Sequence, residues 1–129
     1  MIREVKAADA AQPYSNYAQA IAVEHAKKLL FVSGQVGADA DGIIAVLAEH
    51  QHEHAWKNVL AILAKEGMDH RNIDDAHVYI TDAAHIGIYR EVRDRILQGH
   101  RCAATLLIVA GLAHPAMLVE VSVTAAAPI

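Results

Sequence analysis

Val119-Glu120-Val121-Ser122-Val123-Thr124, led in by Leu118 and followed by Ala125, alternates apolar and polar side chains without a break. That is the period of a β-strand with one face in a core. Val119, Val121 and Val123 share the core face, while Glu120, Ser122 and Thr124 point away from it. Upstream, Ala103 to Val109 reads as a second strand, joined to the first through Gly111 to Pro115. His77-Val78-Tyr79-Ile80-Thr81 reads as a third, rich in β-branched and aromatic residues and closed by Asp82. Leu29-Leu30-Phe31-Val32 is a short apolar run that predicts a buried strand. It is stopped by Ser33-Gly34-Gln35, a turn or bulge in which glycine permits close approach. Asp39-Ala40-Asp41-Gly42 is a turn signal.

Two helices separate these strands. From Ala48 to Glu66 the residues Ala48, Ala55, Trp56, Val59, Leu60 and Leu63 recur at helical spacing, and Gly67 stands where a left-handed cap ends a helix. In the second helix Ile88, Tyr89, Val92 and Ile96 keep the same period. Arg90, Glu91, Arg93 and Asp94 fill its wet side, and Gly99 closes it. The order strands, helix, strand, helix, strands predicts an α+β layer with both helices on one sheet face. The opposite face is too apolar to be left to water, which predicts a homo-oligomer.

Composition narrows the function. The 129 residues are 54% hydrophobic and 20% charged, which fits one domain over residues 1–129. With Lys plus Arg at 11 and Asp plus Glu at 15, the net charge is -4, and no basic field exists to hold a nucleic acid. A charged start, Met1-Ile2-Arg3-Glu4-Val5-Lys6, lacks the apolar region of a signal peptide. Ala103 to Ala113 is too short to span a bilayer as a helix. Cys102 is the one cysteine, so no intramolecular disulfide forms, and a cytoplasmic protein without membrane contact is expected.

Glu120 is the chemical anomaly: between Cys102 and Ile129 no other side chain is formally charged. A partly desolvated carboxylate has its charged form disfavoured, which suits a general acid or base near neutral pH. The plain alternative is an exposed strand glutamate. His50 and His54, at i and i+4, could share a metal ion, yet no H-E-x-x-H is present and His52 points elsewhere. A solvated helix face with no metal is therefore expected there. Cys102 beside Arg101 is a candidate reactive thiol or, more plainly, inert packing. No G-x-G-x-x-G, P-loop or G-x-S-x-G occurs.

Nearly the whole chain resembles a known family. Pro13-Tyr14-Ser15-Asn16-Tyr17-Ala18-Gln19-Ala20 is similar to an N-terminal P-Y-x-Q-A segment, and Leu30-Phe31-Val32-Ser33-Gly34-Gln35 to a hydrophobic strand ending in S-G-Q. Gln51, Asn58-Val59, Val78 to Asp82, Val109-Ala110-Gly111-Leu112, Pro115 and Val119-Glu120-Val121 follow in the same order. The family is that of the RidA (YjgF) proteins, formerly labelled L-PSP endoribonucleases. The resemblance implies a chorismate-mutase-like mixed sheet with two helices on one face, assembled as a homotrimer with small-molecule clefts between subunits. Its enzymes hydrolyse enamine or imine intermediates to a carbonyl compound and ammonia, with no metal or organic cofactor.

By that resemblance Glu120 is the glutamate that handles the attacking water, and Tyr17, Ser33 and the backbone N–H of Leu106 line the cleft. The deaminating branch carries a carboxylate-binding arginine where this chain has Ala104, and a cysteine where it has Leu106. A guanidinium fork is not replaced well by other side chains. A family asparagine falls at Arg90, and Arg90 or Arg101 could bring a cation from another direction. The leading expectation is an imine hydrolase with an altered substrate. Its rival is a non-catalytic trimer that binds a metabolite or a partner, and ribonuclease activity is a third reading disfavoured by the acidic balance.

Overall fold

The computed structural model describes residues 1–128; the last residue of the expected 1–129 domain lies outside them. Strands β1 (Ile2–Val5) and β2 (Ala20–Val23) form an antiparallel pair. After β3 (Lys28–Val36) come α1 (Ala48–Lys65), β4 (Ile73–Ile80), α2 (Ile86–Ile96), β5 (Ala103–Ile108) and β6 (Val119–Ala127). A four-stranded mixed sheet runs in the order β3-β6-β4-β5. Only β4 and β5 are parallel, and α2 is their crossover.

The alternation of β6 is realised as expected. Val119, Val121 and Val123 are buried, and Glu120, Ser122 and Thr124 are half-exposed on the other face. Each buried valine contributes about 1.5–3 kcal/mol. Trp56, Val59 and Leu63 of α1 and Tyr89 and Val92 of α2 meet them in one core. Gly67, at φ 71°, takes the left-handed conformation that ends α1. Gln51, buried on α1, donates to the carbonyls of Ala45 (2.7 Å) and Ala116 (2.8 Å) and accepts from Leu118 N–H (2.8 Å). One side chain thus ties two loops and the start of β6 to the helix.

The structure corrects several expectations. The strand expected at Leu29 to Val32 is only half buried: Leu29 and Phe31 are exposed, because this face carries no helix. It also continues through Ser33-Gly34-Gln35 as a bulge, between Val32 and Gln35, rather than stopping there. β4 begins at Ile73, earlier than His77, since Ile73 and Asp75 both pair with β6 and carry the strand across an irregularity at Asp74, in spite of the low strand propensity of aspartate. Arg93 does not lie on the wet side of α2; it is 4% exposed. His52 is buried in α1, so only part of that histidine-rich face is solvated. β1 and β2 had no counterpart in the sequence reading.

Candidate active site

A cavity of about 300 Å³ opens between the loop before β2, helix α2 and strand β5. The loop supplies Tyr14, Ser15 and Tyr17; α2 supplies Tyr89, Arg90 and Arg93; β5 supplies Ala104 and Leu106. Ala104 and Leu106 face inward because their register partners on β4, Ala76 and Val78, belong to the core.

The loop is fastened at several points. Tyr14 N–H donates to the Tyr17 hydroxyl at 3.2 Å. Asn16 donates to the Gly99 carbonyl at 3.2 Å, and Ala18 N–H to that of Cys102 at 2.9 Å. Arg93 provides the deepest anchor: Nη2 donates to Ser15 Oγ (3.0 Å), Nη1 to Tyr89 Oη (3.2 Å) and Nε to Asp94 Oδ1 (2.9 Å). Its guanidinium also lies 4.9 Å from the Tyr89 ring centroid, in cation–π range. Burial disfavours its charge, but Asp94 and Tyr89 more than offset that and hold the group above its ordinary value. Burial likewise raises Tyr89, which keeps the phenol protonated. The sequence reading missed Arg93, although its position completes the i, i+3, i+4, i+7 stripe of Tyr89, Val92 and Ile96.

Glu120 stands on the other side of the sheet. It is in register with Val36 of β3 and Tyr79 of β4, and Tyr79 with Leu107 of β5. Register partners share a face, so Glu120 lies with Tyr79 and Leu107 on the surface that no helix covers. Ser33, exposed in the β3 bulge, accepts Gln35 Nε2 at its carbonyl (3.1 Å). On the same face His77 Nε2 pairs with Asp75 Oδ2 at 2.8 Å. One chain therefore gathers Tyr17, Arg90, Ala104 and Leu106 at one cavity and leaves Glu120 and Ser33 outside it.

Arg101 belongs to neither group. It donates to Glu4 Oε1 at 2.8 Å and to Asn16 Oδ1 at 3.3 Å, at the edge of a larger cleft of about 530 Å³. Its hydrogen bond holds the Glu4 carboxyl below the usual range. Arg3 and Arg71, also in that cleft, pair with Glu24 (3.6 Å) and Asp69 (2.7 Å). Cys102 is buried, and desolvation pushes its thiol up to about 12, which leaves it inert at neutral pH. His50 is exposed and His54 half-buried. Among the described residues no three histidine, cysteine or carboxylate side chains gather to hold a metal ion. No helix in them is long and apolar enough to cross a membrane.

The family model described as Endoribonuclease L-PSP matches residues 6–127. No curated protein matches. Among solved structures, a Rid-family protein of unknown function from Yersinia pestis, YyfB, is similar with TM-score 0.85 and 19% identity, over 97% of this chain and 98% of that one. A Thermotoga maritima protein described as a candidate endoribonuclease is 27% identical, TM-score 0.71, covering 96% of both chains. RidA from an Antarctic Psychrobacter is 22% identical, TM-score 0.73, over 96% of this chain and 98% of that one.

Proposed function

Because the chain belongs to the Endoribonuclease L-PSP family, that of the Rid and YjgF proteins, we propose that it is a cytoplasmic imine or enamine deaminase, assembled as a homotrimer. The observation that carries this reading is the position of Glu120: a carboxylate on an uncovered sheet face beside Tyr79, with exposed Phe31 on the flanking β3 and exposed Leu107 on β5, one strand beyond Tyr79. Large apolar side chains such as Phe31 and Leu107, set on a face otherwise lined by Glu120, Ser122, Thr124 and His77, would be covered by further copies of the chain. Packing a neighbour's Glu120 face against the mouth of the Tyr17–Leu106 cavity would complete a cleft that one chain leaves open.

In that cleft the Glu120 carboxylate takes a proton from water as the water oxygen bonds to the C=N carbon. The same proton passes to nitrogen, giving a carbinolamine. The hydroxyl proton then passes to the amine nitrogen as the C–N bond breaks, so ammonia leaves, the carbonyl compound remains, and one water is consumed for each ammonia released. An enamine enters the same path after protonation at carbon. Tyr17, Ser33 and the backbone N–H of Leu106 would line the cleft and orient the substrate.

The test is ammonia release from enzymatically generated imines, with and without an α-carboxylate, by wild type and Glu120→Ala. Release that depends on Glu120 is expected; release unchanged in Glu120→Ala sinks the mechanism. A second reading, a trimer that binds a metabolite without turnover, is favoured by Ala104, where the resemblance leads one to expect a substrate-binding arginine. It predicts ligand-induced thermal stabilisation with no ammonia above the spontaneous rate.

A further inference from the structure

We propose that helix α2, rather than the sheet, furnishes the anion site of the 300 Å³ cavity, with Arg93 and Arg90 binding the carboxylate of a small 2-oxo or 2-imino acid. This rests on that cavity being part of the substrate cleft. Its lining contains two guanidinium groups and no carboxylate. In the larger cleft near Arg101 each arginine is matched to an acid; here Arg93 meets Asp94 through Nε alone, at 2.9 Å, which leaves both Nη groups to other partners. Arg90, exposed at the rim, has no acidic partner within 4.0 Å among the described residues. Arg93 is 4% exposed and so is held in one orientation by its neighbours.

Its hydrogen bonds leave capacity for a ligand. A guanidinium has five N–H donors, and Asp94, Tyr89 and Ser15 take one each from Nε, Nη1 and Nη2. One N–H on each Nη remains without a partner among the described residues, enough for the two oxygens of one carboxylate. Ala104, also in the lining, presents only a methyl group, which leaves room for an anion approached from the helix. Fixed donors in a site sheltered from water bind an anion more strongly than the same groups in solvent. Arg93 selects for the carboxylate and Arg90 adds long-range attraction.

The experiment is a ligand-observed NMR titration with pyruvate and with its neutral amide, pyruvamide, on wild type, Arg90→Gln, Arg93→Lys and Ala104→Leu. Pyruvate should bind wild type at least about tenfold more tightly than pyruvamide. Arg93→Lys, which keeps the charge and loses the fork, and Ala104→Leu should each weaken pyruvate about tenfold, and Arg90→Gln severalfold. Equal binding of acid and amide, no pyruvate binding to folded wild type, or wild-type affinity in both arginine variants overturns the proposal. If Arg93→Lys fails to fold, the amide comparison and Arg90→Gln still decide. Arginine-dependent binding without ammonia release would leave this site standing and remove the deaminase reading; Glu120-dependent release from imines, indifferent to both arginines, would do the reverse.

Discussion

The Glu120 carboxylate occupies the space over Gly34 where a side chain would begin: a Cβ built on Gly34 stands 2.0 Å from Glu120 Oε2 and 2.6 Å from Cδ. Gly34 sits in the β3 bulge, where the register slips between Val32 and Gln35. The obstructing atoms are the far end of a flexible side chain, so an added methyl group moves the carboxylate and spares the backbone. Gly34→Ala is expected to fold, with its melting temperature lowered by a few degrees at most, about 1 kcal/mol. Glu120-dependent ammonia release should fall at least about tenfold, since a misplaced general base costs about 1.4 kcal/mol or more in the transition state. Wild-type turnover in Gly34→Ala would mean that the carboxylate does not work from this position.

Phe31 is 75% exposed on the face that no helix covers. Burying a phenylalanine contributes about 1.5–3 kcal/mol per copy, and a carboxylate put in its place faces desolvation instead. Wild type should run at the mass of three chains in size-exclusion chromatography with light scattering, and Phe31→Glu at the mass of one. A monomeric wild type, or a Phe31→Glu variant that keeps its assembly, counts against the proposed trimer interface.

His52 sets an acid limit on stability. Burial lowers its pKa from 6.5 to about 4, with a smaller contribution from nearby His85. Neither ring nitrogen has a hydrogen-bond partner among the described residues, and the same holds for Trp56 Nε1. A depressed histidine pKa means that the unfolded chain takes up its proton first. The stability of the neutral, buried ring is full above pH 6.5 and is lost as pH falls toward 4, by up to about 3 kcal/mol. Asp74 acts in the opposite sense: burial raises its pKa from 3.8 to about 6, so its protonation below that pH favours the folded state. Urea denaturation of wild type and His52→Leu isolates the histidine. The variant should gain on wild type steadily as pH drops through this window, and a constant difference would contradict the assignment.

Glu120 and Arg93 mark how far the sequence could be read. Strict alternation placed the Glu120 side chain on the correct face, because a strand's period admits only two directions. The helix boundaries followed from Gly67 and Gly99, whose φ values of 71° and 76° are conformations that side-chain-bearing residues rarely adopt. Arg93 was misplaced because hydrophobic patterning assigns any charged residue to water, whereas its guanidinium is held by hydrogen bonds to Ser15, Tyr89 and Asp94. Ser15 is far away in sequence, so no local pattern announces that bond. The strand Ile2–Val5 stayed hidden for a related reason: its short Ile-Arg-Glu-Val pattern gains meaning only from pairing with Ala20–Val23. The opposite placement of Glu120 and the cavity was likewise illegible, since it depends on which strands become neighbours.

The β4–β5 pair runs parallel, so the chain has to cross the sheet through α2 before it can add β5. The sheet is thereby a partition with separate tenants. Residues that tune Glu120 come from β3 and β4, and residues that tune the charge of the cavity come from α2 and β5. Substitution on one side leaves the other side's geometry in place. A lineage built on this sheet can exchange the groups that choose its ligand many times over while the carboxylate across the partition stays where it was.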